Sequence, residues 1–241
     1  MSALKIENIY YKYEKDLVLK NVSFEIKQGS FFVLLGLNGA GKSTIFALLT
    51  RLLNLQEGSI IINGHDIKNY QNALNDIGIV FQEPTLDLDL TVRQNLNYYG
   101  SLKGLSFKET FDSIESEIVK IGLDKKLDTV TRQLNGGHRR RVEILRSLIG
   151  SPKLLLLDEA TVGLDVKSRF EILSYIRQLV KERGVSVLWI THLFDEIEDE
   201  DEIAIIKNGR ITDSSTVNSI LKKYEKETLN DTFNYINKEE L

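Results

Sequence analysis

The chain has 241 residues, 42% of them hydrophobic and 27% charged, with a formal net charge of −4 and no cysteine. These values exclude disulfide scaffolds, thiol catalysis and cysteine-ligated metals, and the acidic balance argues against nucleic acid as a partner. No segment approaches the roughly 18 consecutive apolar residues of a membrane span, and the N-terminus has no apolar signal core, so membrane contact is expected through another subunit.

In chain order, residues 30–35 read as a buried strand and 45–49 as a helix. Between them Gly36-Leu37-Asn38-Gly39-Ala40-Gly41-Lys42-Ser43-Thr44 fits G-x-x-x-x-G-K-[ST]. Glycines there let successive N–H groups turn inward around phosphate oxygens, at a helix N-terminus whose dipole favours anions. Lys42 would neutralise the β- and γ-phosphates, and Ser43 would offer its hydroxyl to Mg²⁺. The plain alternative is a glycine-rich turn opening an ordinary helix, and the flanking strand and helix favour the phosphate loop.

Residues 59–64 and 77–81 read as further strands, the second ending at Gln82. From residue 91 to about 148 strands vanish, and helical periodicity predicts helices over 92–99, 107–121 and 139–148. Strands return at 153–157, 185–190 and 203–206, and the last ~25 residues read as polar and helical. Two charge features take plain readings. Arg139-Arg140-Arg141 is expected as a solvated helix face, and the acidic run over 195–202 as the start of an exposed helix. The alternation of strands and helices predicts an α/β core, doubly wound and interrupted by a helical insertion.

Leu154-Leu155-Leu156-Leu157-Asp158-Glu159 is a continuous apolar run ending in two carboxylates. A strand buried on both faces reads this way, and ligands collect at the carboxyl ends of such strands. Asp158 would hold Mg²⁺ through water beside the phosphate loop, and Glu159 would polarise an attacking water. Acids that merely cap a following helix are the alternative.

These residues together resemble the nucleotide-binding subunit of an ABC transporter, from about residue 4 to about residue 233. In that family's order Tyr13 matches the aromatic that stacks on adenine, and Gln82 matches the glutamine that touches Mg²⁺ and the helical lobe. Leu134-Asn135-Gly136-Gly137-His138 falls where the LSGGQ signature belongs. Gly163-Leu164-Asp165 matches the D-loop, and Thr191-His192 the switch histidine. The resemblance implies a P-loop NTPase (RecA-like) core with an antiparallel β subdomain and a helical insertion. It implies one ABC ATPase domain over 1–241, with the core at about 1–85 and 152–220, the insertion at about 88–150 and a helical tail at about 216–241.

The same resemblance implies ATP and Mg²⁺ as cofactors, with Lys42, Glu159 and His192 catalytic and Ser43, Gln82 and Asp158 around the metal. Asn135, Gly136, Gly137 and Asp165 would serve a nucleotide held by a second copy, in a homodimer closed by ATP. A separate integral-membrane permease would receive the work at the inner, cytoplasmic face of the cell membrane. Asn135 departs from the signature serine and His138 from its glutamine, whereas the two glycines remain. The amide of Asn135 reaches one atom further than a serine hydroxyl, which implies a slower or looser composite site.

Residues 134–144 and 81–92 resemble exporter-type ATPases, including a branch associated with quinoprotein alcohol dehydrogenase systems. Thr228-Leu229-Asn230-Asp231-Thr232-Phe233 resembles the tail of multidrug- and polysaccharide-exporter ATPases. The reading is therefore an ATPase that drives export. Two rivals stand beside it: a soluble ABC-type ATPase acting on DNA or the ribosome, and a nucleotide-gated module with weak turnover. The first would normally carry tandem cassettes or a long coiled coil, and this sequence shows neither; Asn135 keeps the second open.

Overall fold

A computed structural model describes residues 2–238. Strands β1 (Ser2–Tyr13) and β2 (Asp16–Lys27) pair antiparallel. β3 (Phe31–Gly36) then runs into the phosphate loop and α1 (Lys42–Leu49). β4 (Glu57–Ile62) and the short β5 (His65–Asp66) return to the first sheet, giving the order β2-β1-β4-β5. After α2 (Tyr70–Asn75) and β6 (Ile77–Val80) comes the helical segment: α3 (Val92–Leu102), α4 (Phe107–Asp112), α5 (Glu115–Lys120) and α6 (Gly136–Ser147). The chain then alternates β7 (Leu154–Asp158), α7 (Val166–Arg183), β8 (Ser186–Thr191), β9 (Glu202–Lys207) and β10 (Arg210–Thr216) before α8 (Val217–Tyr224) and α9 (Leu229–Lys238).

The second sheet has the order β10-β9-β3-β8-β7-β6, with β9, β3, β8, β7 and β6 parallel and β10 antiparallel at the edge. Its central strands are apolar on both faces because both are covered. Leu154 and Leu156 face a core shared with β1, β2, β4 and α1, while Leu155 and Leu157 face the core shared with the helical segment and α7. Parallel pairing matters for function. It brings the carboxyl ends of β3, β8, β7 and β6 to one edge, so strands whose paired residues lie 156 apart in sequence (Phe31 and Val187) and 77 apart (Ile77 and Leu154) end side by side there.

Three expectations change. Residues 107–121 form two short helices rather than one, broken where the Ser113 hydroxyl donates to the Thr110 carbonyl and Ile114 leaves helical dihedrals at φ −128°, ψ 6°. The acidic run makes only a single 3₁₀ turn at Phe194–Glu196 before β9, and Glu196 and Asp201 are buried. Arg140 is also buried, so the run Arg139-Arg140-Arg141 is not a solvated face. The physical reason is the same in both charged cases: distant chain segments supply the partners that burial of a charge requires. No helix among the described residues is long and apolar enough to cross a membrane.

Candidate active site

The phosphate loop joins β3 to α1 around an open cavity of about 370 Å³, lined among others by Gly39, Gly41, Lys42, Ser43, Gln82 and Glu159. Gly41 caps α1 at φ 112°, and a Cβ there would stand 2.8 Å from a Leu19 methyl, so only glycine fits. Gly39 at φ 80° has no atom within 4 Å of its would-be Cβ, which keeps the loop's cavity side bare. Lys42 is buried and donates to the main-chain oxygens of Gly36 and Leu37 at 2.7 and 3.2 Å. Burial lowers its pKa, against the opposing pull of Glu159 and Asp158. Ser43 is exposed on the cavity, whereas Thr44 is buried beneath it. Bare N–H groups, one ammonium and a hydroxyl at a helix start form the donor set a nucleotide's phosphates require.

The other strand ends complete the cavity. Glu159 follows β7 at φ 46°, a left-handed conformation that costs a non-glycine residue about 1 kcal/mol or more. Its oxygens are held on two sides: Gln82 Nε2 donates to Oε2 at 2.9 Å, and His192 Nδ1 donates to Oε1 at 2.9 Å. Lys42 Nζ lies 3.8 Å from the same Oε1. Asp158 is buried beside it, and burial, together with the Glu159 charge, pushes its carboxyl up to about 6 against the pull of Lys42. Tyr13, nearly half exposed, places its hydroxyl 3.5 Å from Thr44 Oγ1, so its ring stands at the rim of the loop.

Asn135, Gly136, Gly137 and Asp165 do not join this cavity; they form a second patch with one another. Asn135 caps α6, its Oδ1 accepting from His138 N at 2.8 Å and lying 2.6 Å from His138 Nδ1. Asp165 caps α7 by accepting from Ser168 N at 2.9 Å and Ser168 Oγ at 2.7 Å. A Cβ on Gly137 would stand 2.7 Å from Ser168 Oγ, which ties the two helix starts together.

Two groups escaped the reading of the sequence. Arg140, Glu143 and Arg146 sit one turn apart on α6 and grip residues 81–85. Arg140 donates to the carbonyls of Phe81 and Gln82 at 2.7 and 2.8 Å and pairs with Glu143 at 2.8 Å, while Glu143 accepts from Thr85 N at 2.7 Å. Arg146 donates to the Thr85 carbonyl at 3.0 Å. The only sequence signal was a glutamate at an otherwise apolar helix position. The second group is Glu196, buried behind β8.

Comparison with known proteins agrees with this geometry. The family model described as ABC transporter matches residues 19–162, more than half the chain. The chain belongs to the ABC transporter ATP-binding family. As such it is an ATP-binding subunit of a family of transport-coupled ATPases. It is 35% identical over 228 residues to the linearmycin resistance ATP-binding protein LnrL of Bacillus subtilis, covering 94% of this chain and 73% of that one. It is 32% identical over 219 residues to the energy-coupling factor transporter ATP-binding protein EcfA1 of Streptococcus agalactiae, covering 88% and 78%. A solved ATP-binding subunit of an ABC transporter superposes with a TM-score of 0.87 at 25% identity, covering 98% of this chain and all of that one.

Proposed function

We propose that this subunit hydrolyses Mg·ATP between two identical copies and thereby drives export through a separate integral-membrane subunit, working at the cytoplasmic face of the cell membrane. One observation carries the chemistry: the Glu159 carboxylate is fixed between Gln82 and His192 at the mouth of the phosphate-loop cavity. A carboxylate so held orients and deprotonates an attacking water. Lys42 and the loop N–H groups offset charge on the β- and γ-phosphates, and His192, with Nδ1 engaged by Glu159, would donate from Nε2 to the γ-phosphate as the imidazolium. Mg²⁺, when bound, would draw charge from the phosphates, and Ser43, Gln82 and Asp158 are the residues to hold it. Tyr13 supplies a flat face for adenine.

The second patch supports the dimer. The start of α6 presents Asn135 and Gly136 to solvent rather than to its own cavity, and Leu37, Val162, Val166 and Phe170 are exposed apolar side chains. A head-to-tail pair would bring each α6 N-terminus to the other copy's γ-phosphate and cover those side chains. Export rests on the motif resemblance at residues 81–92, 134–144 and 228–233 and on the resistance named for LnrL. Affinity capture from detergent-solubilised membranes tests the assignment. A stoichiometric polytopic partner that raises ATPase activity is expected; recovery only with ribosomal or DNA-bound proteins would overturn the transport reading.

A further inference from the structure

Glu196 is 3% exposed and lies outside the cavity, yet its carboxylate collects donors from both loops that carry the proposed reacting groups. One oxygen, Oε1, accepts from the Thr161 hydroxyl in a short contact, with Arg169 Nε 3.7 Å away. The other, Oε2, accepts from Thr191 Oγ1 at 2.6 Å and from Trp189 Nε1 at 3.0 Å. Thr161 is two residues beyond Glu159, in the turn closed by Val162 N donating to the Glu159 carbonyl at 3.1 Å. Thr191 precedes His192, and its hydroxyl also accepts from Leu193 N at 3.0 Å, so it spans the histidine from both sides. Arg177 holds the segment from behind, donating to the Glu196 carbonyl at 3.1 Å and to both Asp201 oxygens at 2.7 and 2.6 Å.

We propose that Glu196 is a positioning residue for hydrolysis: its buried carboxylate ties the turn after Glu159 to the end of β8 and so fixes the Glu159–His192 pair. The inference rests on the proposed roles of those two residues. The chemistry of a carboxylate suits the task. It only accepts hydrogen bonds, so it sets the direction of both threonine hydroxyls. Glu159 also sits in a left-handed conformation at φ 46°, which persists only where the surroundings hold it. Placement of a reacting group by about 1 Å is worth on the order of 100-fold in rate, so a tie of this kind is expected to show in kcat rather than in nucleotide affinity.

The test uses the full chain and steady-state ATP hydrolysis. Glu196→Leu is expected to lower kcat by about 100-fold with the KM for ATP within about twofold. Glu196→Gln should recover most of the rate, because its amide oxygen still serves Trp189 and Thr191 while the Thr161 hydroxyl turns to accept from the amide nitrogen. Thr161→Val removes one donor at nearly constant volume and keeps the proposal testable where Glu196→Leu does not fold; its kcat should fall with KM unchanged. In a His192→Ala background the cost of Glu196→Leu, or of Thr161→Val, should shrink to a few-fold, because no pair remains to be positioned. Wild-type kcat in Glu196→Leu and Thr161→Val, or equal costs in both backgrounds, would overturn the inference alone. Wild-type turnover in Glu159→Gln would instead overturn the functional reading on which it rests.

Discussion

Arg140 on α6 donates to the main-chain oxygen of Gln82 at 2.8 Å, and the Gln82 side chain in turn donates to Glu159 at 2.9 Å. The helix whose start faces outward thus grips the segment that steadies the carboxylate of its own cavity. In the proposed dimer that helix start serves the other copy's nucleotide, so each copy connects one ATP to the next through two hydrogen bonds and one buried ion pair.

That ion pair gives a stability prediction. Arg140→Ala leaves Glu143 buried without its charge partner, at a cost of about 3–5 kcal/mol. For a chain of this size the thermal midpoint should fall by roughly 10 °C. Replacing both residues, Arg140→Met with Glu143→Leu, should restore part of the midpoint, since no unpaired charge remains although the main-chain groups of Phe81, Gln82 and Thr85 lose their partners. Calorimetry decides: equal losses in the single and double variants would contradict the clamp as described.

Asn135 provides a second prediction. Its oxygen is committed to His138 on two atoms, so the amide nitrogen is the group left for a phosphate across the dimer. Asn135→Ala removes the α6 cap, about 1 kcal/mol of stability. It would also remove the proposed hydrogen bond to a phosphate across the dimer, and a hydrogen bond to a charged group is worth about 10- to 100-fold in kcat/KM. Asn135→Ser keeps a cap and a donor and should stay within a few-fold of wild type. Wild-type kcat/KM in Asn135→Ala would exclude this residue from the composite site.

Asp158 makes the site pH-sensitive. Its carboxyl titrates at about 6 in the folded chain, pushed up by burial and by Glu159, against an unfolded value near 3.9. The folded chain therefore holds this proton more tightly, and the stability gained from protonation is lost as pH rises from about 4 through 6. In the proposed metal site Mg²⁺ needs the ionised form, so its affinity should weaken about tenfold per pH unit below 6. Titration of Mg²⁺ into the ATP-bound protein between pH 5 and 7 measures this; an unchanged affinity across that range would remove Asp158 from the metal site.

Much of this architecture is legible in the residues themselves. The strands leading to the phosphate loop, to Asp158 and to His192 are apolar on both faces and end in the functional groups, so sequence and site coincide there. β1 and β2 are harder to read. Their register slips between Ile6 and Tyr11, with Asn8 at φ 51°, and a bulge destroys the alternation that marks a strand. Glu196 and Arg140 resist for another reason: every strong partner of Glu196's first oxygen, and both carbonyls gripped by Arg140, come from segments 27 or more residues away. A local charge pattern carries no trace of such pairings.

The central claim is that Glu159 activates water in a site that already binds ATP without it. Glu159→Gln keeps the volume and one acceptor but removes the base. The most direct measurement is single-turnover hydrolysis of Mg·ATP by Glu159→Gln beside equilibrium ATP binding by the same protein. The account predicts binding within about twofold of wild type and a rate lower by about 10³-fold. Hydrolysis at the wild-type rate, with binding intact, would contradict it.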